Sequence, residues 1–139
     1  MANYAVTAVK TLTKPDPKAI QAGEALSQFD IIYVDTTTQK GFQAINSNAN
    51  KLNVAYICLT AAALDEYAIC LPLSSGVELE VTLSSGTFTV PERIILSATA
   101  GKMAPLADLA SGQYLVEIAY ATTTSRIKLD KNNTGVTKP

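Results

Sequence analysis

The feature that most constrains this chain is a pattern that occurs twice. Phe29-Asp30-Ile31-Ile32-Tyr33-Val34 is followed by a Thr-rich turn to Lys40-Gly41, a loop, the run Val54 to Thr60 and then Glu66 to Leu71. Further on, Glu92-Arg93-Ile94-Ile95-Leu96-Ser97 is followed by a turn at Gly101-Lys102, a loop holding Gly112, the run Val116 to Thr122 and then Ser125 to Leu129. Equivalent positions lie about 60 residues apart, with Ile31 and Ile32 answering Ile94 and Ile95, and Thr60 answering Thr122. Few identities are shared; the order of apolar runs and turns is what repeats. A unit this short cannot bury its own apolar face and must stack on its copy. Two similar meanders, over residues 26–72 and 88–130, are therefore expected face to face or around one barrel, joined by the strand that carries Glu78 and Glu80.

The runs themselves read as strands. In Gly76 to Leu83, Val77, Leu79, Val81 and Leu83 alternate with Glu78, Glu80 and Thr82, the period of two that puts one face in a core and the other in water. Leu115, Glu117 and Ala119 alternate with Tyr114, Val116, Ile118 and Tyr120, so that strand is apolar on both sides toward its end and both its faces should be covered. Phe29 to Val34, Val54 to Leu59, Tyr67 to Leu71, Thr87 to Val90, Arg93 to Ser97 and Ser125 to Leu129 are further candidates. Turn residues separate them, at Gly41, Ser74-Ser75-Gly76, Ser84-Ser85-Gly86, Gly101 and Ser111-Gly112. Thr runs at 36–38 and 122–124 favour pleated chain, because β-branched residues are stiff at χ1. Thr60 to Glu66 and Pro105 to Ala110 hold no apolar stripe of helical period and read as connections. The expected fold is all-β, a small sandwich or barrel over residues 21–130. Residues 1–20, with Lys10, Lys14, Pro15, Asp16, Pro17 and Lys18, are expected to be an extended arm, since the prolines oppose helix and central strand. Residues 131–139 have little apolar surface and are expected to be a mobile tail.

Composition then removes chemistry. The 139 residues suit one domain, and eleven Lys and Arg against twelve Asp and Glu leave a net charge of -1, too balanced to draw polyanions by field alone. Neither a nucleic-acid nor a membrane partner is expected. The N-terminus lacks a basic start followed by an apolar run, and apolar stretches such as Val54 to Leu59 fall far short of a bilayer span. With no His and no Trp, the usual general base, the commonest zinc ligand and the strongest sugar-stacking ring are missing. Asp65-Glu66 and Glu78 with Glu80 are the close acidic pairs; glycosidase chemistry needs two carboxylates about 5 to 10 Å apart across a cleft, whereas alternating charges on a strand's polar face are ordinary solvation. Cys58, Ser84 and Ser85 have no His to activate them. Cys58 and Cys70 each sit in an apolar run and read as buried thiols, with a disulfide as the alternative. Phosphate loops, Cys clusters and acidic calcium loops are absent, and Tyr4, Tyr33, Tyr56, Tyr67, Tyr114 and Tyr120 lie in strand-like runs that packing explains. No catalytic, cofactor-binding or metal-ligating residue is assigned, and no enzyme is expected.

Charged residues reach only 17%, and a neutral surface on a small β domain suits protein contact. An extended arm can add a strand to a neighbour's sheet. Ala22-Gly23-Glu24-Ala25-Leu26 leading to Phe29–Asp35, Ile94 to Pro105 with its Gly101-Lys102 turn, and Tyr114 to Thr124 together resemble the small head decoration, or capsid cement, proteins of tailed bacteriophages. The resemblance spans residues 20 to 130. It departs from the family at Tyr56, where a Gly is common, and at Asp65, where Gly is usual but Asp tolerates left-handed geometry. The resemblance implies a structural virion protein on the outer capsid surface, made in the bacterial host cytoplasm, often a homotrimer, that clamps the major capsid protein lattice. Residues 2–20 would then be the capsid-facing arm. The alternative is a receptor- or carbohydrate-binding module of a phage head or tail fibre.

Overall fold

The computed structural model describes residues 3–13 and 15–139; Met1, Ala2 and Lys14 of the expected arm lie outside them. Eleven strands form: β1 (Val6–Thr11), β2 (Lys18–Gln21), β3 (Ile31–Val34), β4 (Gly41–Gln43), β5 (Val54–Cys58), β6 (Tyr67–Pro72), β7 (Glu78–Leu83), β8 (Arg93–Leu96), β9 (Met103–Pro105), β10 (Tyr114–Ala121) and β11 (Arg126–Thr137). All pair antiparallel, in a five-stranded sheet of order β2-β6-β5-β3-β4 and a six-stranded sheet of order β1-β7-β11-β10-β8-β9. The fold is an all-β sandwich. Without β1, the two orders match strand for strand, β2 to β7, β6 to β11, β5 to β10, β3 to β8 and β4 to β9. A short 3-10 turn falls between the corresponding strands of each sheet, at Ala49–Lys51 and at Leu106–Asp108. The Glu78–Leu83 strand, expected to join two units, is instead the first strand of the second, as β2 is of the first.

The core lies between the sheets. Ile31, Val54, Ile57 and Leu71 of one meet Leu79, Val81, Ile94, Leu96, Ile118 and Ile127 of the other. β7 follows its sequence alternation, with Leu79 and Val81 buried and Thr82 exposed. β10 does not keep one parity. Val116 and Ile118 point to the core, then Ala119 and Ala121 do, because a bulge sets Glu117 and Ala119 opposite the adjacent residues Ile95 and Ile94. Its other face packs Leu115 against Ile95, Ala104 and Leu109, so both faces are covered as expected.

The five-stranded sheet curls. Its edges meet at a single parallel bridge, Ala22 to Gly41, where the Gly23 amide donates to the Gly41 carbonyl at 2.8 Å. Two close approaches favour glycine there: a Cβ on Gly41 would sit 2.9 Å from Ile32 Cδ1, and one on Gly23 would overlap the Phe42 ring. Inside the curl lies a second cluster of mostly small side chains, Ala22, Leu26, Ile32, Cys58, Ala62, Ala68 and Cys70. One bridge is not a ladder, so the sheet remains open and the sandwich, not the barrel, is realised. Asp65 holds the turn with φ of 69°, as its tolerance of left-handed geometry predicts.

Three expectations differ. The first 20 residues are no separate arm: β1 pairs with β7, β2 pairs with β6, and Tyr4, Val6 and Val9 pack on the core. A bulge between Val6 and Ala8 breaks the alternation of β1, and that hid it in the sequence. Residues 131–137 are not a loose tail but continue β11 along the first half of β10, held by polar contacts: Thr134 Oγ1 donates to the Leu115 carbonyl at 2.7 Å and Lys131 Nζ to the Val54 carbonyl at 3.1 Å. Composition measures apolar burial and misses a segment recruited by a long neighbouring strand. Thr87–Val90 is loop, not strand; it buries Phe88, whose ring meets Tyr4 edge-on at 4.8 Å.

Candidate functional site

Each acidic pair singled out by sequence is engaged by its strand neighbours. Glu80 faces Arg126 across β11 at 3.6 Å, with Lys10 opposite it on β1, and Glu78 is registered with Lys128. Asp65 pairs with Lys40 at 2.7 Å, while Glu66 accepts the Ala63 amide at 2.9 Å. These are charge ladders on solvated faces, and neither pair opens into a cleft. Arg93 joins Glu117 at 3.0 Å and Asp130 at 3.3 Å and lies over the Tyr120 ring, so another cation is spent on cross-strand contacts. Among the described residues no group of three His, Cys, Asp or Glu gathers as a metal site.

Cys58 and Cys70 are direct cross-strand partners within the curled sheet, both buried, with their Sγ atoms 3.7 Å apart as free thiols. The hydrogen bond to Cys70 and burial both push the Cys58 thiol up, so it stays protonated at neutral pH and is a poor nucleophile. Of the six tyrosines, Tyr4 meets Phe88, Tyr33 stacks on Phe42, Tyr56 packs on the small cluster and Tyr114 on the main core. Tyr67 alone is a large exposed ring, 63% accessible.

Asp30 ties the two sheets together. Its fully buried carboxylate accepts from the Ser27 amide at 2.9 Å, from Gln43 Nε2 at 2.8 Å and from Lys102 Nζ at 3.0 Å, and Lys102 stands on the β8–β9 turn of the other sheet. Beside it the Ile31 amide donates to the Gly101 carbonyl and the Gly101 amide to the Ala44 carbonyl, both at 2.7 Å. Sequence reasoning quoted Asp30 and Lys102 as parts of the repeat without pairing them. The signal was an acidic residue opening an apolar strand, where a buried charge demands partners.

Of the exposed large apolar side chains, Leu64, Tyr67, Ile69, Val90, Leu106 and Val136, two share one face of a strand. Along β6, Ala68 and Cys70 turn into the curl, whereas Tyr67, Ile69 and Leu71 share the side that meets the second sheet. Leu71 is buried there, but Ile69 is 41% and Tyr67 63% exposed, with the exposed Ala19 of β2 registered beside Ile69. The curl carries this edge past the shelter of the other sheet. At the matching edge of the second sheet, Leu79 and Ile127 lie fully in the core and β1 extends the sheet beyond them. Comparison of the chain with protein-family models, with curated proteins and with solved structures finds no match.

Proposed function

We propose that this chain is a structural virion protein, a decoration subunit that seats on the outer surface of a tailed-phage capsid and stabilises the lattice of the major capsid protein. Three things support the reading. The sequence resemblance in residues 20 to 130 points to that family. The acidic pairs singled out by sequence face cations or a backbone amide rather than a shared cleft. The observation that carries most weight is the Tyr67–Ile69 strip, an aromatic and an aliphatic side chain on β6, one strand in from the edge that in the twin sheet is extended by a further strand. Its mechanism needs no reaction: a subunit that binds only the expanded lattice stabilises that lattice by mass action. A homotrimer is the assembly this role implies.

The interaction surface belongs to the folded domain. Residues 2–20, first read as a capsid-facing arm, carry β1 and β2, so deleting them removes strands from both sheets and cannot test binding alone. The discriminating variant is Tyr67→Lys with Ile69→Lys, both at exposed positions. In co-sedimentation with expanded capsids the wild type should pellet and raise the particle melting temperature, and the variant should do neither while keeping its own circular dichroism melt. Equal capsid occupancy by the two proteins refutes the assignment of this strip. Failure of the wild type to bind any capsid, with glycan binding that depends on Tyr67, favours the receptor-binding module instead.

A further inference from the structure

At one end of the sandwich a cavity of about 140 Å³ lies against the loop after β4, the β8–β9 turn and the Leu106–Asp108 turn. Its polar wall is Asn3, Asn46, Ser97, Thr99 and Asp108, and its apolar wall includes Ile95 and Ala104. Asn46 is buried, at 1% exposure, and its orientation is pinned. The amide nitrogen donates to the Leu96 carbonyl at 2.9 Å and to Gln113 Oε1 at 3.4 Å, so the side-chain oxygen is what remains, and that oxygen has no hydrogen-bond partner among the described residues. Asp108 lines the same cavity with its Oδ1 also buried and also without a partner among the described residues. Ser97 Oγ accepts the Thr99 amide at 2.9 Å and donates to Asn3 Oδ1, which adds two more oxygens at the wall.

Buried acceptors without partners are rare in folded chains, and two of them on one cavity call for a common occupant. No Lys or Arg lines the space, and Asp108 makes no ion pair among the described residues. Among the described residues the wall is therefore rich in hard oxygen acceptors, carries one carboxylate and holds no cation. We propose that this cavity binds a single hard cation of the calcium class, through the side-chain oxygens of Asn46 and Asp108, with the Ser97 hydroxyl and water completing the shell. Calcium accepts six to eight oxygens in loose geometry, whereas magnesium demands a near-ideal octahedron and holds its own water. One carboxylate puts the affinity at the weak end, a Kd of about 10⁻³ M. The site ties the loop after β4 in the first sheet to the Leu106–Asp108 turn of the second, independently of whether the chain decorates a capsid.

The test uses the full chain after chelator treatment. Melting is followed with about 10 mM CaCl2, with MgCl2 at the same concentration and with NaCl at the same ionic strength. Calcium should raise the midpoint by about 4 °C, more than either control, and Asp108→Asn should remove the difference. A second readout avoids mutation. The chain has no Trp, so terbium emission excited through tyrosine reports an ion near Tyr4, which follows Asn3, or near Tyr114, whose amide donates to the Asn46 carbonyl. Emission that calcium displaces supports the site. No calcium-specific shift, a shift that survives Asp108→Asn in a folded variant, or no displaceable emission from the wild type overturns it and leaves the cavity to water.

Discussion

Removing the Asp30 carboxylate should weaken the sandwich more than removing the ammonium it faces. Asp30→Ala takes away the acceptor of three donors and leaves the Ser27 amide and Gln43 Nε2 without their partner. Hydrogen bonds to a charged group contribute about 1.5 to 3 kcal/mol each, so the two neutral donors alone amount to about 3 to 6 kcal/mol. The third donor adds little, because the Lys102 side chain is 40% exposed and can turn to water once released. Lys102→Met should therefore cost only about 1 kcal/mol. In urea, with a slope of about 2 kcal/mol per molar, Asp30→Ala should lower the midpoint by about 2 M at unchanged slope and Lys102→Met by about 0.5 M. The double variant should resemble Asp30→Ala, since the ammonium has nothing left to meet. A Lys102→Met loss as large as that of Asp30→Ala would refute the reasoning and place the weight on the ion pair rather than on the hydrogen bonds.

Other consequences can be measured on the isolated protein. Gly23→Ala should cost about 1 to 3 kcal/mol in thermal or urea unfolding, because its methyl meets the Phe42 ring, and Phe42→Ala should recover part of that loss; strict additivity would show that the contact is not responsible. Deleting residues 2–11 should abolish the cooperative melt seen by circular dichroism, since β1 and the packing of Tyr4, Val6 and Val9 go with it; an unchanged melt would return these residues to the status of an arm. Tyr4 should ionise last or nearly so in an ultraviolet pH titration, its pKa pushed up to about 12 by burial and then by Glu92. The folded state holds that proton more tightly than the unfolded chain, so the sign is fixed: stability is intact below pH 10, the unfolded value, and declines as pH rises from there through about 12. Tyr4→Phe should flatten that decline, and an unaltered alkaline slope would exclude Tyr4 as its source.

Much of both units was readable in one dimension. The alternation in β7, the runs behind β3, β5, β6, β8 and β10 and the matching Ile pairs all reflect strands with a neighbour on each side, where burial imposes a strict pattern. Strands with weaker constraints escaped. β1 and β2 lie at sheet edges, β4 and β9 span three residues each, and the polar half of β11 is held by hydrogen bonds that hydropathy does not register. The candidate surfaces escaped for a related reason. Tyr67 and Ile69 look like core residues in sequence, because alternation says which side of a strand a residue takes but not whether that side is covered. Asn46 and Asp108 carry no motif at all, and only the loops that bring them to one cavity make them a pair.

From the sequence alone came an all-β chain, two similar sets of strands, no His-based chemistry and thiols in apolar surroundings, because these depend on residue type and on periodicities two residues long. The three-dimensional arrangement decided the rest. It chose a sandwich over a barrel, since the curled sheet closes by one bridge only, and it drew the first and last segments into the sheets, since unpaired backbone at the margin of a long strand recruits whatever chain lies nearby. It also decided which apolar side chains are left bare, a property of how far one sheet overhangs another that no local pattern encodes.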